Sequence, residues 1–188
     1  MTRIVAGFAG SLALHVPSSG TRPTSDRVRE AIFSALEARE ELRGARVLDL
    51  YAGSGALGLE AASRGAATVM LVERSAEAAA VVRKNISALL KAAPKDRKPK
   101  IEVRSTAVQT FLAGSGSTYD LVFMDPPYDL GEDELRDALA SLEHRLAPHA
   151  TICLERSTRS PEPLIPAGLT LDRRKDYGDT ALYWLSPT

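Results

Sequence analysis

The chain has 188 residues, 44% of them apolar and 26% charged, with a formal net charge of zero. That is the composition of an ordinary folded domain with a sizeable core, and it excludes a disordered or highly basic protein, so a polyanionic partner must be met by a local patch. No apolar stretch reaches the 18 residues that suggest a membrane-spanning helix, and the first seven residues carry no apolar signal core, so a cytoplasmic protein is expected.

Residues 3–6 and 11–16 read as two short strands around Gly7 and Gly10, a hairpin or flap covering roughly residues 1–25. The segment Thr21-Arg22-Pro23-Thr24-Ser25-Asp26-Arg27 stops any earlier helix at Pro23 and offers caps for the next one. Val28, Ile32, Ala35, Leu36 and Leu42 then predict an amphipathic helix over 26–42. From there strands and helices alternate: strand 46–51, helix 56–64, strand 68–72, helix 76–92, strand 101–104, a short helix 108–112, strand 121–124, helix 132–146 and strand 151–154. Two closing strands, 169–174 and 180–185, are joined too tightly for a crossover and must be antiparallel. The expected fold is α/β and Rossmann-like, a mostly parallel seven-stranded sheet with an antiparallel last strand and helices on both faces, spanning 26–188 behind the flap. Cys153, the only cysteine, sits in an apolar run and reads as a core residue. His15, His144 and His149 have no ligand spacing, so no metal site is expected.

Two stretches carry chemistry. Asp49-Leu50-Tyr51-Ala52-Gly53-Ser54-Gly55-Ala56-Leu57-Gly58 is a strand, a turn of the form G-x-G-x-x-G and a helix start, with Glu73 twenty residues after Gly53. Glycines there let a ligand approach the backbone, and a carboxylate at that distance accepts ribose hydroxyls. A dinucleotide and S-adenosylmethionine both fit this pattern. Asp49 favours the second, because a carboxylate suits an ammonium and a sulfonium better than a pyrophosphate. The other stretch is Asp125-Pro126-Pro127-Tyr128 at the end of the strand Tyr119-Asp120-Leu121-Val122-Phe123-Met124. Its prolines remove two backbone donors. What remains is a lip of acceptors beside a flat ring, suited to holding a planar amine.

Together with Arg3-Ile4-Val5-Ala6-Gly7 and the block from Arg22 to Glu30, these stretches resemble the class I methyltransferases, and more closely the bacterial 16S rRNA guanine-N2-methyltransferases. The resemblance spans nearly the whole chain. It implies S-adenosylmethionine as cofactor, with Asp49 at its amino acid end, Tyr51, Gly53 and Gly55 close to it, Glu73 on the ribose, and Thr106 and Ala107 by the adenine. Thr106 departs from the acidic or amide residue common before that alanine. The resemblance implies that Asp125 and the Pro126 carbonyl hold the target amine, with Pro127 shaping the lip and Tyr128 stacking on the base. It implies 16S rRNA as substrate, within a small ribosomal subunit or assembly intermediate, guanine-966 as the nucleotide, and a monomeric enzyme. Arg22, Thr24, Arg27 and Arg29 belong to a block expected to meet RNA or cover the cofactor, while the flap has Ser11-Leu12-Ala13-Leu14 where the family carries basic residues. Residues 83–104 hold eight basic side chains against two acidic ones, a loop and helix end read as solvated. A DNA adenine-N6 methylase and a nucleotide-binding Rossmann module without methyl transfer remain open as alternatives.

Overall fold

A computed structural model describes residues 2–18 and 24–188. β1 (Thr2–Arg3) and β2 (Ala13–Leu14) pair as a small antiparallel hairpin. The body follows in the order α1 (Asp26–Ala38), β3 (Arg46–Leu50), α2 (Ala56–Ser63), β4 (Thr68–Glu73), α3 (Ala76–Ala92), β5 (Lys100–Ser105), α4 (Val108–Ala113), β6 (Tyr119–Met124), α5 (Glu132–Leu142), β7 (Leu146–Ser157), β8 (Leu169–Tyr177) and β9 (Thr180–Pro187). The sheet runs β5-β4-β3-β6-β7-β9-β8, and β9 runs antiparallel to the strands on either side of it while the other pairings are parallel. The expected fold class is therefore the observed one.

The strand order reverses between β3 and β6, and a ligand crevice belongs at the carboxyl ends of the strands beside such a switch point. Apolar side chains of β3, β4, β6 and β7 alternate between two cores. One holds Val47, Leu71, Phe123 and Cys153 under α1, α2, α3 and the hairpin. The other holds Leu48, Val72, Met124 and Leu154 under α4 and α5.

Two predicted boundaries shift for identifiable reasons. α1 ends at Ala38 instead of 42 because Glu40 turns left-handed (φ 57°) and the Glu41 N–H reaches back to the Leu36 carbonyl at 3.0 Å. That turn folds Leu42 into the core at 3% exposure, so its apolar character came from the turn and not from a further helical repeat. α5 stops at Leu142, followed by one 3₁₀ turn, Glu143–Arg145, and β7 begins at Leu146, well before the predicted 151. Tyr119 pairs with Leu146 but Leu121 pairs with Thr151, and the slip leaves Pro148 and His149 in an irregular stretch that hides the strand's first half.

The hairpin is clamped to α2. Glu60 is fully buried and accepts the Val5 and Ala6 N–H groups at 2.7 and 3.0 Å and the Arg64 Nε at 2.7 Å. Ser63 Oγ takes the Ala9 N–H and donates to the Ala6 carbonyl. Gly7 lies so close that a Cβ would sit 2.0 Å from the Ser63 carbonyl oxygen, at φ 83°. Farther along, the buried Asn85 pairs with both backbone groups of His15 and also donates to the Ser54 carbonyl in the glycine turn.

Removing one member of a buried, hydrogen-bonded charge pair destabilises by about 3–5 kcal/mol. Glu60→Ala should lose that much in urea denaturation and expose residues 2–12 to protease, because two backbone donors and Arg64 lose their acceptor together.

Candidate active site

A cleft of about 770 Å³ opens at the carboxyl ends of β3, β4, β6 and β7. Its geometry follows from register. Leu50 is aligned with Val72 and with Met124, and Met124 with Leu154. One residue further on, Glu73, Tyr51, Asp125 and Glu155 therefore stand side by side across four strands, and all four line the cleft.

The glycine turn forms its floor. Tyr51, Gly53 and Gly55 all take left-handed backbone, with φ of 61°, 58° and 81°. For a tyrosine this conformation costs about 1–3 kcal/mol and persists where surrounding contacts impose it, commonly at functional sites. Here the Ala52 N–H is held by the Val72 carbonyl at 3.0 Å. Glu73 spans the turn: Oε2 accepts the Gly53 N–H at 2.9 Å and Oε1 the Ser75 N–H at 2.7 Å. Its carboxylate is thus fixed before any ligand arrives, with lone pairs left for a diol. Gly58 packs helix to sheet; a Cβ there would meet Val69, Leu71 and Asp49 at 3.0–3.1 Å.

Asp49 lies beneath the turn, 2% exposed, and accepts the Gly58 N–H at 2.8 Å. Burial pushes its pKa up to about 7, opposed by the Gly58 hydrogen bond and helped by repulsion from Asp125 and Glu73. Burial also lifts Asp125 to about 6, opposed by the Thr24 hydroxyl, which donates to Oδ2 at 3.1 Å. A cleft that holds carboxylates away from water in this way favours a cationic occupant. The donor set fits S-adenosylmethionine: Asp49 for positive charge, Glu73 for the ribose, and the apolar wall of Val72, Ala107 and Val108 for a flat ring.

The stretch expected to form the lip follows β6 directly. The Pro127 carbonyl accepts the Leu130 N–H at 3.0 Å, and Asp125, Pro126, Pro127 and Tyr128 all line the cleft. Tyr128 is 58% exposed, its ring at the rim.

Other expected residues divide. Ala107 lines the cleft, whereas Thr106 does not line it; its N–H donates to the Glu73 carbonyl at 3.1 Å. Thr24 sits in the cleft on Asp125, away from any outer RNA surface. Arg27 is exposed. Arg29 is 1% exposed and paired to Asp26 at 2.7 Å, so it anchors the start of α1 and is not placed to meet a phosphate. Arg22 lies outside the described residues. The basic residues of 83–104 are exposed on α3, β5 and the connection between them, and Arg74 lines the cleft mouth. Glu155, Thr180 and Gln109 also line the cleft without having been expected there. Glu155 carried a readable signal: like Glu73 and Asp125, it is a carboxylate closing an apolar strand.

A switch-point crevice, a glycine turn pinned by a strand-end carboxylate and an acceptor lip two strands away define a class I methyltransferase fold and site. The profile of the family described as "Conserved hypothetical protein 95" matches residues 2–186, and the chain belongs to that family. It is 38% identical over 182 residues to Ribosomal RNA small subunit methyltransferase D of Escherichia coli strain K12, covering 95% of this chain and 86% of the relative. A second relative, Putative rRNA methyltransferase YlbH of Bacillus subtilis, is 31% identical over 185 residues, 96% of each chain. The solved structure of putative methyltransferase yhhF from Escherichia coli superposes with a TM-score of 0.83 at 37% identity, covering 99% of this chain and 97% of the other.

Asp49 and Asp125 titrate above the ordinary 3.8, so their contribution to stability is full below about pH 4 and is lost as pH rises through about 6 and about 7. The melting temperature of the ligand-free protein should fall between about pH 4 and about pH 7, and Asp49→Asn should flatten the upper part of that fall in a calorimetric series.

Proposed function

We propose that the protein transfers a methyl group from S-adenosylmethionine to the exocyclic N2 of a guanine in 16S rRNA of the small ribosomal subunit. The observation that carries this reading is the half-buried Asp125 carboxylate at the start of the Pro126-Pro127-Tyr128 stretch, in one cleft with the Glu73-braced glycine turn. The relatives named as small-subunit rRNA methyltransferases support the substrate class.

When bound, the cofactor supplies an electrophilic methyl group on a sulfonium. The protein's own groups do the rest. Glu73 and the left-handed turn fix the donor side, and the Asp49 charge favours its cation. On the acceptor side, the guanine amine is a poor nucleophile because its lone pair is spread into the ring. Asp125 and the Pro126 carbonyl accept its two N–H bonds and turn the nitrogen toward the donor, a gain from orientation. The Thr24 hydroxyl occupies Asp125 Oδ2 in this conformation and gives way to the amine. As nitrogen takes the methyl it sheds a proton, which Asp125 accepts; a carboxylate near 6 is well matched to that exchange at neutral pH. Tyr128 stacks on the base once it is splayed out of its own stack. Exposed cations along α3 and β5 supply a local patch for phosphates on a chain of zero net charge.

Asp125→Ala should abolish transfer while cofactor affinity, read by calorimetry, stays within a few-fold. Glu73→Ala should weaken that affinity by about 1–3 kcal/mol through lost, partly buried hydrogen bonds. Mass spectrometry of 16S rRNA from cells with and without the protein should show one N2-methylguanine missing. Its persistence in the deletion strain rules the proposal out.

A further inference from the structure

An amine-holding lip does not by itself choose guanine. Adenine and cytosine carry planar amines too, and an aspartate with a neighbouring carbonyl accepts any of them. What separates guanine is the atom beside the amine. N1 of guanine carries a hydrogen, whereas the ring nitrogens next to the amines of adenine and cytosine are bare acceptors. A site that reads guanine by this edge needs a second acceptor beside the one that holds N2.

We infer that Glu155 is that acceptor: its carboxylate takes the N1–H of the target guanine next to Asp125 and makes the lip select guanine over other amino-bearing bases. The inference rests on the guanine-N2 reading above. Met124 and Leu154 are register partners on adjacent parallel strands, so Asp125 and Glu155 leave the sheet together, about 4.8 Å apart at the backbone. Guanine presents N1–H and N2–H side by side on its Watson–Crick edge, a match for two neighbouring carboxylates. Glu155 is 9% exposed and lines the same cleft as Asp125, Pro126 and Tyr128. Of the other carboxylates on that flank, Glu134 and Asp129 are exposed and Glu132 does not line the cleft. Against a bare ring nitrogen the Glu155 carboxylate would set acceptor against acceptor out of water, the arrangement by which sites built for a donor reject analogues lacking it.

The test uses small subunits reconstituted with 16S rRNA carrying either guanine or 2-aminopurine at the methylated position. 2-Aminopurine keeps the amine but has no N1–H. The wild-type protein should favour guanine in kcat/KM by at least roughly a hundredfold. Glu155→Gln, whose amide can face a donor or an acceptor, should shrink that preference to within about tenfold with cofactor affinity unchanged, and Glu155→Asp should recover part of it. Equal wild-type rates on the two substrates overturn the inference, as does full preference retained in Glu155→Gln. Should that variant fail to fold, Glu155→Ala takes its place, and full preference retained there overturns the inference. Absence of transfer to guanine by the wild type is the distinct result that removes the guanine-N2 reading itself.

Discussion

Like charges crowded into one cleft are the constraint on which this molecule depends. Asp49, Glu73 and Asp125 converge where the strands end, and burial drives Asp49 to about 7 and Asp125 to about 6. The fold supports the arrangement with fixed donors: the Gly58 N–H on Asp49, the Gly53 and Ser75 N–H groups on Glu73, and the Thr24 hydroxyl on Asp125. None of these donors is a full positive charge. The remaining imbalance is relieved by a cation, and a sulfonium with an ammonium supplies two. The glycines share the same logic, since only a turn with left-handed residues brings backbone N–H groups down onto strand-end carboxylates.

The N-terminal hairpin gains its meaning from that turn. It could have been a separate appendage, because a two-residue ladder is marginal alone. Instead Ile4, Ala9 and Leu14 enter the core shared with α1 and α2. Asn85 then ties His15 to the Ser54 carbonyl, so the backbone of the hairpin's exit and that of the glycine turn share one side chain. Thr24, later in the sequence, places its hydroxyl on Asp125.

Much of this was legible in the residues. The alternation of apolar strands with capped helices implied the doubly wound order, and the glycine spacing with Glu73 marked a turn that lines the cleft. What stayed hidden has physical reasons. Leu42 looked helical because a turn that buries a leucine leaves the same spacing as one more helical repeat. The first half of β7 was masked by Pro148 and a register slip. Arg29 read as a surface cation because nothing in a sequence distinguishes an exposed i,i+3 pair with Asp26 from one whose arginine is sealed inside. The Thr24–Asp125 hydrogen bond joins residues 101 positions apart and carries no local signature.

Glu155 differs from those cases, because its signal was present and only its neighbours across the sheet were missing. Three apolar runs close on an acid: Met70-Leu71-Val72 before Glu73, Val122-Phe123-Met124 before Asp125, and Ile152-Cys153-Leu154 before Glu155. Parallel pairing places these endings in one line, with Tyr51 at the end of β3 between Glu73 and Asp125, so the sheet itself sorts the cleft. β4 and β3 carry the groups proposed for the donor, and β6 and β7 those proposed for the acceptor base. The switch point between β3 and β6 is where the two meet. A reaction between two bound partners needs them held on opposite sides of one seam, and a sheet whose strand order reverses supplies that seam without any further device.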